Sequence, residues 1–147
     1  MQTLPVAVIG GGPVGLAAAV HLLARGIEPV VLESGPSVGT ATRAWGHVMM
    51  FSQWRYNVDK AARALLEQHG WAPPDDDAYP TGRQLAEQYL EPLAALPEIA
   101  PRIRLNARVT AIARAGVGKV RTTAREAAPP MAPLSSNSPK PACSSPA

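Results

Sequence analysis

Val6-Ala7-Val8-Ile9 is an unbroken apolar run that stops at Gly10, the pattern of a parallel strand buried on both faces. Pro13 falls where a helix would begin, because its missing N–H costs nothing in the first turn. From Val14 to Arg25, Leu16, Val20, Leu22 and Leu23 recur among alanines, and Gly26 offers a helix stop. Pro29-Val30-Val31-Leu32 repeats the apolar run and ends at Glu33. Strand, glycine turn, helix and strand in this order predict a βαβ unit with a right-handed crossover.

Residues 34–58 hold Trp45, Phe51, Trp54 and Tyr56 without clear periodicity. Met49, Met50, Phe51 and Trp54 read as core packing, with the lining of a ligand pocket as the alternative. Asn57 or Asp59 can cap a helix that runs to about His69 and ends at Gly70. Trp71 to Asp77 reads as a solvated loop. Thr81-Gly82-Arg83-Gln84 has the form of a capping box, opening a helix to about Leu96 that Pro92 should kink or split. Ile103, Leu105, Ala107 and Val109 alternate with Arg102, Arg104, Asn106 and Arg108, so a strand with one apolar and one basic face is expected. Ile112 breaks the parity and suggests a bulge or turn. After Glu126 the chain is mostly Pro, Ser and Ala, which predicts a disordered tail over 127–147.

Composition narrows the classes. The chain has 147 residues, of which 46% are hydrophobic and 17% charged, with a net charge of +3 and one cysteine. Collagen-like, coiled-coil and disulfide-scaffold architectures are excluded by the lack of a Gly-X-Y period, a heptad run or a second cysteine. Arginines crowd the stretch from Arg102 to Arg125, but no aromatic follows Tyr89 to stack on bases, so a solvated face is expected and no nucleic-acid partner. The span Leu4–Ala24 carries no formal charge, yet its central glycines would weaken a membrane helix and no basic region precedes it. No membrane association is expected, and a cytoplasmic setting. The histidines and Cys143 lack metal-ligand spacing, so no metal is expected.

The chemistry is concentrated in Gly10-Gly11-Gly12-Pro13-Val14-Gly15, which fits G-x-G-x-x-G. Gly10 lets the chain turn out of the strand, Gly12 lets a pyrophosphate approach the backbone, and Gly15 lets the helix press on the sheet. Phosphates would then meet unpaired amides at the positive end of a helix dipole. Glu33, roughly 20 residues past the motif, can accept from ribose hydroxyls and would repel a 2′-phosphate. A Walker loop is excluded, since Leu16-Ala17 stand where Lys-Ser/Thr belongs. Gly35-Pro36-Ser37-Val38-Gly39 fits a nucleophile elbow, but the residues after it are weak helix formers, so a serine hydrolase is the lesser reading.

Val8-Ile9-Gly10-Gly11-Gly12-Pro13-Val14-Gly15-Leu16, followed by Glu33, resembles the amino-terminal FAD fingerprint of flavoproteins with two dinucleotide-binding domains. The segments His47–Trp54, Tyr79–Gly82 and Tyr89–Leu93 look like bacterial FAD-dependent NAD(P)H oxidoreductases akin to flavin monooxygenases. The resemblance implies FAD as cofactor and NAD(P)H as electron donor in the full-length family. It implies hydride transfer to the flavin and onward transfer to oxygen or an unidentified small-molecule substrate. It places backbone groups at Gly12 and Val14 on the pyrophosphate, Glu33 on the ribose, Arg43 near the flavin or its phosphates, and the backbone of Val109 near the adenine. It assigns no catalytic residue.

A second G-x-G-x-x-G and a redox cysteine pair, both found in such enzymes or their reductase cousins, are missing. The expected architecture is α/β: a partial Rossmann-like FAD/NAD(P)-binding domain over 1–126 with a helical insertion, then the tail. The chain is expected to be a truncated FAD-binding portion, inactive in isolation. A non-catalytic dinucleotide-binding remnant and an NAD-dependent dehydrogenase are the alternatives.

Overall fold

A computed structural model of the chain describes residues 4–113. Three parallel strands form one sheet in the order β1 (Val6–Ile9), β2 (Pro29–Leu32), β3 (Ile103–Arg104). Val6 pairs with Pro29 and Ile9 with Leu32, while Val31 pairs with Ile103. Helix α1 (Pro13–Leu23) makes the crossover between β1 and β2, as the strand–glycine–helix–strand pattern predicts.

The central strand is buried as expected, with Val31 fully enclosed. The first strand is not. Val6 is 40% and Ile9 55% exposed, because β1 is the edge of the described sheet and lacks a neighbour on its outer side. The third strand is also shorter than its alternation suggests. Asn106 adopts a left-handed conformation (φ 54°), which an Asn tolerates better than most residues and which ends the ladder after Arg104. Beyond that turn the Ala107 amide still reaches the Glu33 carbonyl at 2.8 Å.

Between β2 and β3 lies the helical insertion: α2 (Thr40–Ala44), α3 (Trp54–Asn57), α4 (Lys60–Gln68), α5 (Gly82–Leu85) and α6 (Glu91–Ala95). Asp59, not Asn57, caps α4; one carboxylate oxygen accepts from the amides of Ala61 and Ala62 at 3.0 Å each. Thr81 and Gln84 form the reciprocal capping box at the start of α5.

Pro92 splits the following helix, and the split has a defined chemistry. A π-helical turn, Ala86–Leu90, joins α5 to α6. Proline has no N–H to offer the carbonyl four residues back, that of Gln88. The indole N–H of Trp71 donates to that carbonyl instead, at 2.9 Å.

The core gathers Leu16, Ala19 and Val20 of α1, Val31 of β2, Leu66 of α4, and Tyr89, Leu90, Leu93 and Ile99. Each large apolar side chain fully enclosed here contributes roughly 1.5–3 kcal/mol relative to exposure. The aromatic span divides. Trp54 is buried and Met50 packs on the core, but Met49 is 65% and Phe51 96% exposed. The Met50 amide bonds the Pro80 carbonyl at 2.8 Å and Met49 bridges to Thr81, so the backbone here is extended and successive side chains alternate sides.

The expected boundary at 126 and the tail over 127–147 lie outside the described residues. Among the described residues, those up to Arg108 form one compact unit, and Val109 begins a second.

Candidate functional site: the glycine turn between β1 and α1

Gly10 leaves β1 with φ 101° and its amide bonds the Leu32 carbonyl at 2.9 Å, so the turn stays pinned to the end of β2. Gly12 precedes α1 without any side-chain cap, and the helical ladder starts with the Leu16 amide on the Gly12 carbonyl. The amides of Gly12, Val14 and Gly15 therefore stand ahead of the ladder, where unpaired N–H groups and the helix dipole favour an anion. Val14 is exposed, and a β-carbon at Gly12 would meet nothing within 4 Å, so the space in front of these amides is open. At Gly15 a β-carbon would overlap the Gly10 carbonyl oxygen, which is why the helix can approach the strand only with glycine there.

Glu33 is 7% exposed and sits at the tip of β2. Its Oε2 accepts from the Gly11 amide at 2.7 Å and its Oε1 from the Gly35 amide at 2.8 Å. The Ser34 hydroxyl lies 3.3 Å from Oε1. A carboxylate offers about four acceptor sites, so one on Oε2 stays available to a hydroxyl. Sequence reasoning found Glu33 but missed its grip on Gly11 and Gly35, a role that no spacing encodes.

Arg43 lies on α2 and turns to the π-helical turn and α6, where it pairs with Glu87 at 3.4 Å and with Glu91. Val109 is half-buried and opens the second compact unit. Of the histidines that could serve Ser37 of the elbow-like sequence, His21 is paired with Asp59 at 3.1 Å and His69 with Glu98 at 3.0 Å. An apolar hollow of about 320 Å³ lies alongside, lined by Pro36, Val38, Ala94, Ala100, Ile103 and Leu105. No helix among the described residues is long and apolar enough to cross a membrane.

A glycine turn opening a helix, with a buried acid at the tip of the neighbouring strand, defines a dinucleotide-binding βαβ unit. Residues 5–97 match the FAD dependent oxidoreductase family, and the chain belongs to it. FAD is the cofactor of that family.

The thiamine thiazole synthase of Methanoculleus marisnigri is 42% identical over 69 residues, covering 47% of this chain and 26% of that protein. Among solved structures, an oxidized steroid monooxygenase bound to NADP is similar with a TM-score of 0.56 and 25% identity, over 73% of this chain and 20% of that one. The enzyme OTEMO, in complex with FAD and NADP, is similar in fold with a TM-score of 0.60 and 19% identity, over 79% of this chain and 21% of its own. The chain thus spans about a quarter or less of each of these proteins.

The residues present fit the adenosine diphosphate half of FAD. The open ground before Gly12 admits a phosphate against bare backbone, and the remaining acceptor on Glu33 suits a sugar hydroxyl.

Proposed function

We propose that this chain is the ADP-binding portion of a flavin-dependent oxidoreductase of the monooxygenase-like kind. The observation that carries the proposal is the buried Glu33 carboxylate, bonded to Gly11 directly beside the open amides of Gly12 and Val14. In this reading Gly10 sets the turn and Pro13 starts the helix without spending a donor. Gly15 brings the helix onto the strand, and the amides of Gly12 and Val14 hold the pyrophosphate. Glu33 accepts from the ribose, and its charge disfavours a 2′-phosphate at this site. The backbone of Val109 near the adenine rests on the family resemblance alone. Arg43 enters in a lesser role, since two carboxylates already compensate its charge.

When bound, the flavin supplies the redox step, taking a hydride from NAD(P)H and passing electrons to oxygen or a small-molecule substrate. The protein's contribution is to hold the adenosine diphosphate end, keep it in register with the strand tips and exclude competing dinucleotides. The chain spans a fifth of the monooxygenase it is similar to, and cofactor holding is the part of the activity that we infer for these residues.

Titrating FAD and NAD into the purified chain by calorimetry tests the binding. FAD should bind more tightly than NAD; no uptake of FAD refutes the proposal, and a preference for NAD favours a dehydrogenase. Anaerobic mixing with FAD and NADPH tests turnover, where bleaching faster than free FAD would show an active enzyme.

A further inference from the structure

Gly11 is held at both of its polar atoms. Its amide donates to Glu33, and its carbonyl accepts from the Gly39 amide at 2.9 Å. The second bond fixes more than Gly11. In a planar trans peptide the carbonyl and the following N–H point in opposite directions, so drawing the Gly11 carbonyl toward Gly39 turns the Gly12 N–H away from it. That is the amide with open space beside its α-carbon.

Gly39 is itself fixed from behind. It is buried, adopts φ 66°, and a β-carbon on it would stand 2.9 Å from Leu90 Cδ1 and 3.5 Å from the Ala86 β-carbon. Both neighbours belong to the π-helical turn that Trp71 secures through Gln88. A side chain at position 39 would be strained in its backbone and crowded against that turn.

We propose that Gly39 is a positioning residue for the dinucleotide loop: its amide orients the Gly11–Gly12 peptide so that the Gly12 N–H faces the pyrophosphate. The proposal rests on the FAD reading above. It makes the π-helical turn the backstop of the phosphate site, acting through Gly39 and its bond to the Gly11 carbonyl.

The test uses the full chain, with ADP and adenosine as probes. Gly39→Ala should weaken ADP binding about tenfold or more and leave adenosine binding within about twofold, because only ADP meets the Gly12 amide. The ADP-induced shift of the Gly12 amide resonance should shrink in the same variant. Leu66→Ala, a core change on α4, serves as the control; it should lower stability and leave the ADP-to-adenosine ratio unchanged.

If Gly39→Ala weakens both ligands alike, or if Leu66→Ala moves the ratio equally, Gly39 is structural only and the inference fails. If Gly39→Ala does not fold, amide exchange in the unsubstituted chain decides. The Gly39 amide should be protected and the Gly12 amide unprotected until ADP is added, and the reverse order overturns the proposal. An unsubstituted chain that takes up neither ADP nor FAD overturns the FAD reading, and this inference with it.

Discussion

The Gly11 amide and the Glu33 carboxylate meet at 2.7 Å, so the middle of the glycine turn is tied to the tip of the neighbouring strand before any ligand arrives. The same carboxylate accepts from Gly35. A Glu33 substitution therefore disturbs the turn as well as any sugar contact. Glu33→Ala should cost about 1–3 kcal/mol of stability, since it leaves enclosed amides without an acceptor; urea unfolding measures this.

The sugar contact is better tested on the ligand side. On the unsubstituted chain, 2′-deoxy- and 3′-deoxy-ADP remove one hydroxyl each and leave the turn intact. At least one should bind about tenfold more weakly than ADP, the scale of a hydrogen bond to a charged group, roughly 1.5–3 kcal/mol. Equal affinity for all three would leave Glu33 as a brace of the turn and nothing more.

Gly15 makes a sharper structural prediction. A β-carbon there collides with the Gly10 carbonyl, a backbone atom that cannot swing aside, and also approaches Val8. Gly15→Ala must push α1 off β1, at a cost of about 1–3 kcal/mol or more, and FAD affinity should fall with the displaced amides. A change in stability within about 0.5 kcal/mol would show that the close approach is not required.

Gly10 and Gly15 were legible in the sequence because backbone geometry demands them at a fixed spacing, Gly10 by its positive φ and Gly15 by the close approach of helix to strand. Asp59 and the Thr81–Gln84 pair were legible for the same reason, being local caps. What depended on distant partners was not. The exposure of Val6 and Ile9 follows from β1 lying at an edge, which an apolar run cannot announce. The outward turn of Met49 and Phe51 follows from pairing with the segment near Thr81. Pro92 announced a break, but its repair by Trp71 joins residues far apart in sequence.

Asp59 links the fold to acid. Burial pushes its carboxyl up, but the Ala62 amide, His21 and the Ala61 amide outweigh that and bring it below its ordinary 3.8. A carboxyl lowered in the folded state stabilises above its unfolded pKa, and that share is lost as the pH falls through the folded value. Stability should thus decline below about pH 4. Asp59→Asn, which still caps α4, should flatten that share of the decline, whereas Asp59→Ala should cost about 0.5–2 kcal/mol at neutral pH. Identical acid limbs for Asp59→Asn and the parent would contradict the assignment.

Tyr89 governs the opposite limb. Burial, opposed by the Asp59 amide and aided by the Asp59 charge, pushes its hydroxyl up to about 12. The neutral phenol is the form the fold accommodates, so its contribution is complete below the ordinary value of 10.0 and is lost as the pH rises toward 12. Tyr89→Phe should remove that alkaline loss at a small cost near pH 7, since the bond it gives up, from the Asp59 amide, is 3.3 Å long. Thermal melts between about pH 9 and 12 would read the difference.

Arg43 separates a cofactor contact from a helix tie. It is half-exposed, and its guanidinium is shared by Glu87 and Glu91, so the three side chains together carry a net negative charge. Pairs of this exposure contribute about 0–1 kcal/mol, and Arg43→Ala should lower stability by no more than that. If the guanidinium stays with its carboxylates, Arg43→Ala should change FAD affinity by less than about threefold, with little dependence on salt. A drop of tenfold or more, deepening at low ionic strength, would mean that FAD draws Arg43 away from Glu87 and Glu91. The double variant Glu87→Gln/Glu91→Gln tells the two apart from the other side. Releasing Arg43 should strengthen FAD binding if the guanidinium can reach the phosphates, and leave it unchanged if the residue only fastens α2 to α6.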